Sequence, residues 1–239
     1  MAERTLGEAL RAVVTQEAEA PPVHSAGESV LMSPPRQRVF EYLCSRPCST
    51  PAQIARALGL SAPTVQWHLV KLRRAEYLLE LGAGRSRLFF PAGLPLDARD
   101  LSVLSTLHGL GGWPILAATL ARPGLTLRQL ADATGLGLGA ARVQTRRLSG
   151  SGLLVVVVDG RYRRFYPGPE VSRLDRESRR KLRAFRTTLL RRLERDRLGP
   201  TTRLSRGREA ELELHVGDRT HRLRLPADSL FAPVGETDG

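Results

Sequence analysis

The chain has 239 residues, 41% of them hydrophobic, and carries 37 Lys and Arg against 24 Asp and Glu, a formal net charge of +13. That length holds two small domains or one larger one with a real core, and the charge points to a polyanionic partner: DNA, RNA or an anionic membrane surface. The only cysteines, Cys44 and Cys48, exclude a disulfide framework and a complete four-ligand zinc site, and read as structural thiols of a reducing compartment.

All but two of the basic residues, Lys71 and Lys181, are arginine. Codon bias explains a preference for Arg over Lys but not an excess of base over acid. The opening residues show no basic segment followed by an apolar core, so no signal peptide is visible. Residues 1–32 form an expected flexible acidic arm, with five acidic and two basic residues in the first 30 and one short helix near Thr5–Gln16.

A helix is predicted to start after Ser33, with Pro34 and Pro35 in its first turn; Val39, Phe40 and Leu43 follow at helical spacing. "STPAQIARAL" opens with a cap and a proline and sets Ile54, Ala55 and Leu58 inward. Gly59 supplies the left-handed residue that stops this helix, and Ser61 caps the next. That third helix buries Val65, Leu69 and Leu72, at i, i+4 and i+7. "YLLEL", a Gly turn and "RSRLFFP" then read as two strands.

The same unit recurs. Shifted by 76 residues without gaps, positions 46–91 match 122–167 at 15 of 46 sites, among them Gln53/Gln129, Gly59/Gly135, Leu72/Leu148, Arg85/Arg161, Arg87/Arg163 and Phe89/Phe165. The frame assigns domains at 33–94 and 101–169. It also accounts for Leu101–Ala121, which holds no Asp, Glu, Lys or Arg and is long enough to cross a bilayer. Its glycines and Pro114 weigh against a span, and Pro114–Leu120 falls on the first helix of the unit. No membrane insertion is expected.

Helix, helix, tight turn, helix and hairpin make a winged helix-turn-helix. The spacing Ala55, Gly59, Val65 resembles the helix-turn-helix signature of DNA-binding repressors. "SAPTVQWHLVKLRRAEYL" resembles the recognition segment of ArsR- and MarR-like regulators and of archaeal regulators with two such domains. The resemblance covers roughly 36–91 well and 113–167 less well. The second copy departs from it: Ala141 and Thr145 replace Val65 and Leu69, and "GLGLGAARV" is Gly-rich. "GLGLGA" also fits the dinucleotide fingerprint G-x-G-x-x-A, but a helical stretch precedes it where a strand is required. The repeat frame makes it the turn.

At 100° per residue from Val65, residues Pro63, Thr64, Trp67, Val70, Lys71 and Arg74 face outward. In this fold that face enters the major groove. Ser61, Pro63, Thr64, Gln66, Trp67, Lys71 and Arg74 are therefore candidate DNA contacts, with Thr64 and Gln66 near base edges and Lys71 and Arg74 on phosphate. Trp67 either meets the partner or packs on the wing or the second unit, and His68 lies nearer the buried rim. The wings add Arg85 and Arg87, then Arg161, Arg163 and Arg164, and the second helix adds Arg142, Arg146 and Arg147.

Residues 161–208 hold 17 basic and 5 acidic residues. Val171, Leu174, Ser178, Leu182, Phe185, Leu189 and Leu193 form one apolar stripe on a long basic helix at 170–199. The stripe packs on its own domains or, the favoured reading, pairs with a second copy through 171–198. A hairpin about Gly217-Asp218 in the tail, 200–239, pairs Glu213 with Arg222 and Glu211 with Arg224. It is too small to stand alone.

The fold class is thus mainly α with small β wings: two tandem winged helix-turn-helix domains, a long helix and a terminal hairpin. The expected function is sequence-specific binding of double-stranded DNA by a cytoplasmic, nucleoid-associated transcriptional regulator. The rival is a tandem winged-helix adaptor of chromosome segregation that binds protein partners, or DNA without specificity. Without a P-loop, metal constellation or nucleophile motif, no catalytic residue, cofactor or metal site is expected.

Overall fold

The structure, a computed structural model, describes residues 30–83, 86–107, 111–203 and 209–229. The predicted helix at Thr5–Gln16 and the wing-tip Arg85 lie outside the described residues. The chain divides into two compact units: Met1–Ala98 with Lys181–Asp228, and Arg99–Arg180 with Ser229–Gly239.

The first described element is a 3-10 turn, Val30–Met32, whose Leu31 is buried; it falls within the 1–32 span of the expected arm. Helices α1 (Pro34–Ser45), α2 (Pro51–Leu58) and α3 (Ala62–Arg74) follow, then strands β1 (Leu78–Ala83) and β2 (Ser86–Pro91). Prolines fill the first turn of all three helices, where the missing N–H costs nothing. The core gathers Val39, Phe40 and Leu43 from α1, Ile54 from α2, Val65, Leu69 and Leu72 from α3, and Leu78, Leu88 and Phe89 from the strands. Phe40 meets the ring of Tyr77 edge-on at 5.8 Å between centroids.

In the second unit α4 (Ala98–Ser105), at whose first residue the units divide, precedes α5 (Gly112–Ala121), β3 (Leu125–Thr126), α6 (Leu127–Thr134), α7 (Leu138–Gly150), β4 (Leu154–Asp159) and β5 (Tyr162–Pro167). Two short helices therefore occupy the uncharged stretch. Among the described residues no helix is long and apolar enough to cross a membrane. Helices α6 and α7 and strands β4 and β5 start and end 76 residues after α2, α3, β1 and β2. Even the bridge from Ser49 to Phe89 reappears as Leu125 to Phe165 in the three-stranded sheet β3-β5-β4. Strand β4 is one edge of that sheet.

Helix α8 (Pro169–Arg195) is the predicted long helix. Its stripe is buried throughout: Val171, Leu174 and Ser178 count with the second unit, Leu182, Phe185, Leu189 and Leu193 with the first. This fits the packing of the stripe on its own chain, and leaves the expected pairing through 171–198 not shown. Among the described residues the apolar seam of the helix is covered by its own chain.

The tail is also more than a hairpin. Strand β6 (Thr201–Arg203) adds to β7 (Glu209–Val216) and β8 (Arg219–Pro226), giving a three-stranded sheet in the order β6-β7-β8. The predicted register holds, with Glu213 opposite Arg222 and Glu211 opposite Arg224. The sheet docks within the first unit on α1. Gln37 donates to the carbonyl of Arg222, and the Arg224 N–H donates to the Glu41 carboxylate at 2.8 Å. Leu212, Leu214, Leu223 and Leu225 are buried.

Candidate nucleic-acid interface

The turn between α2 and α3 is fixed by local chemistry. Thr50 and Gln53 form a reciprocal capping box at the start of α2, and Gly59 ends it at φ +63°. A side chain there would be strained, because only glycine takes that region freely. The Ser61 hydroxyl then accepts from the Thr64 N–H and caps α3.

With Val65, Leu69 and Leu72 turned in, Ser61, Pro63, Thr64, Trp67 and Arg74 are exposed, and Gln66, Val70 and Lys71 are half-buried. Trp67 keeps 52% of its surface open. Two cations lie over its ring: the Arg36 guanidinium is 5.6 Å and the Lys71 ammonium 5.7 Å from the ring centre. His68 meets it edge-on at 5.0 Å. His68 itself is buried, as its rim position suggested, but its Nδ1 has no hydrogen-bond partner among the described residues. Burial, aided by the charge of Arg36, pushes its pKa below the ordinary imidazole value.

The wing of the first unit carries less free charge than its sequence implied. Glu80 on β1 takes both Arg73 and Arg87, the latter at 3.4 Å. Strand pairing places Glu80 within two residues of Arg87 across the hairpin, which the linear sequence does not display.

The second unit repeats the frame with other chemistry. Thr126 and Gln129 form the same capping box, and Gly135 ends α6 at φ +65°. Gly137, at the place of Ser61, gives α7 no side-chain cap. Ala141 and Thr145 are buried as the smaller counterparts of Val65 and Leu69, and Thr145 turns its hydroxyl back to the Arg142 carbonyl at 3.1 Å. Arg142, Val143, Arg146 and Arg147 are exposed. Arg161 folds over the ring of Tyr162, 5.0 Å from its centre, and Arg163 is exposed. Arg164 is tied to Asp159 at 2.6 Å and to the Gly124 carbonyl at 3.1 Å, so it braces the wing. Beside these arginines lie open apolar side chains: Leu138, Val143, Val155, Val157 and Val158.

Residues 31–76 match a family model described as a helix-turn-helix domain. The first unit contains a helix-turn-helix. The match spans α1, α2 and α3 and stops before the wing. Among solved structures, the crystal structure of T. acidophilum IdeR aligns over 88% of this chain and 97% of that one, at 14% identity and a TM-score of 0.21; a similarity that low carries no argument. None of the curated proteins compared with the chain matches it.

Around the helix-turn-helix the sequence missed one residue. Arg36 sits in the first turn of α1, 31 positions before Trp67, and no spacing rule connects them. Its only signal was its place after two helix-opening prolines. Among the described residues, Arg36, Lys71, Arg74, Arg142, Arg146, Arg147 and Arg163 have no carboxylate partner, whereas Arg73, Arg87 and Arg164 do.

Proposed function

We propose that the protein is a sequence-specific, double-stranded-DNA-binding transcriptional regulator built of two winged helix-turn-helix domains in tandem. The observation that carries this reading is the outward face of α3, which combines capped, exposed Ser61, Pro63 and Thr64 with Trp67, Lys71 and Arg74. Thr64 and Gln66 lie where base edges are read, and Lys71 and Arg74 where phosphates run. Arg85, Arg87, Arg161 and Arg163 serve as wing contacts, and Arg142, Arg146 and Arg147 clamp backbone from α7. Arg164 acts through the shape of the wing.

Titration of binding to a mixed-sequence duplex across a salt series tests this. With both units engaged, on the order of 6–10 phosphates are neutralised, and log K falls against log salt with a slope near −5 to −9. A slope shallower than about −2, or no binding at low salt, removes the reading. A regulator further prefers some genomic sequences over random duplex, and equal affinity for both removes the specificity.

One observation favours the adaptor reading for the second unit alone. Val155, Val157 and Val158 stand open on edge strand β4, an unusual surface for a wing that only meets phosphate.

A further inference from the structure

We propose that Trp67 is a positioning residue that holds Arg36 and Lys71 as a preformed pair of phosphate donors, which makes Arg36 a nucleic-acid contact from outside the recognition helix. The inference rests on the DNA reading above and adds to it a residue and a division of roles.

Two contacts fix Arg36. Its Nε donates to the Val30 carbonyl at 2.8 Å, which ties the side chain to the turn before α1. Its guanidinium carbon lies 5.6 Å from the Trp67 ring centre. The two Nη groups have no partner among the described residues, so the forked end is held in place while its donors stay open. Lys71 lies one helical turn beyond Trp67, at 5.7 Å from the same ring.

Two like charges gathered on one ring repel each other. An aromatic face with negative quadrupole lowers that repulsion and attracts both. A negative phosphate between them lowers it further. The indole also removes rotamer freedom from two long side chains before any partner arrives, so less is lost on binding. The contrast with Arg73 and Arg87 is direct: those share the Glu80 carboxylate and must leave it to meet a phosphate. Arg36 and Lys71 have no such tie among the described residues.

The test uses the full chain, a labelled mixed-sequence duplex and four variants: Arg36→Gln, Trp67→Leu, Trp67→Phe and the Arg36→Gln/Trp67→Leu double. Gln at 36 keeps a donor for the Val30 carbonyl but loses the charge. Arg36→Gln should weaken binding about five- to tenfold near 0.1 M salt and make the log–log slope shallower by about 0.9, the value of one phosphate contact. Trp67→Leu should weaken binding to all sequences alike, and Trp67→Phe, which keeps a π face, should restore most of the loss. In the Trp67→Leu background, Arg36→Gln should cost less than half its fold-change in the parent, the mark of residues acting together. Each variant should melt with the parent.

An unchanged slope in Arg36→Gln overturns the inference, and so do additive losses in the double variant. A Trp67→Phe chain as weak as Trp67→Leu does the same, because the indole then acts by its own contact. If instead the parent shows no duplex binding at low salt, the DNA reading falls first and this inference with it.

Discussion

Trp67 points away from Val65, Leu69 and Leu72, so its removal leaves the core of the first unit filled. Trp67→Ala is expected to change stability by less than about 1 kcal/mol, the range of surface substitutions. A buried tryptophan would cost about 3 kcal/mol or more. Thermal melting separates the two. His68 titrates in the opposite sense to a paired histidine. Burial holds its folded pKa below the ordinary value, so the folded chain keeps it neutral while the unfolded chain takes up a proton first. Stability from this group is full above the ordinary imidazole pKa and declines as pH falls through it. His68→Gln, the residue found at the matching position 144, should flatten the melting profile between about pH 7 and pH 5. A profile unchanged by the substitution would show that His68 is not the titrating group. Helical spacing alone placed Trp67 outward and His68 at the rim. It could not supply Arg36, because the approach of α1 to α3 depends on tertiary packing rather than on any local repeat.

At the scale of elements, capping chemistry explains why the repeat was readable. Thr50/Gln53 and Thr126/Gln129 satisfy the same orphan N–H groups at helix starts, and Gly59 and Gly135 take the same left-handed turn. Such signals are local, so they survive in sequence even where the core residues between them diverge. Thr126→Ala should lower the stability of the second unit by about 1 kcal/mol, readable as amide exchange in α6. Ion pairs buried between helices are less legible. Arg173 on α8 bonds Asp100 of α4 at 2.9 Å and Glu170 at 2.8 Å, and Glu170 also holds Arg99. Although burial works against its charge, the two carboxylates hold the Arg173 pKa above the ordinary range, and Glu170 is held below its own. Asp100 is fully buried, so Asp100→Ala leaves a buried guanidinium short of its partner and should cost roughly 3 kcal/mol. Since the folded Glu170 pKa is depressed, its contribution is present above the ordinary carboxylate pKa and is lost as pH falls through the lower folded value. Acid unfolding monitored with and without Glu170→Gln measures this. Nothing in the sequence paired residues 100 and 173, which lie too far apart for a helical rule.

Across the whole molecule, the segment after Pro169 supplies buried residues to both units, whereas sequence leaves open whether its stripe packs on its own domains or on a second copy. The first unit takes Leu182, Phe185, Leu189 and Leu193 from α8, with Arg192 on the Ala75 carbonyl at 2.6 Å and Tyr77 donating to Asp196 at 2.5 Å. The periodic stripe announced that the helix needed a cover; periodicity does not say which chain supplies it. Truncation after Pro169 should therefore abolish cooperative melting of the first unit rather than leave two intact domains. A truncated chain that still melts sharply would show that α8 is dispensable.

The open valines of β4 have a consequence for the protein in bulk. Edge strands are commonly blunted by charge, proline or a bulge. This one is Leu-Val-Val-Val-Val-Asp, charged only at its last residue. Between molecules of like charge +13, repulsion keeps such edges apart in dilute buffer. Sulfate both screens that repulsion and strengthens apolar association. The protein should accordingly salt out early as β-rich precipitate, and Val157→Lys, one inserted charge in the middle of the edge, should raise the ammonium sulfate concentration at which turbidity appears.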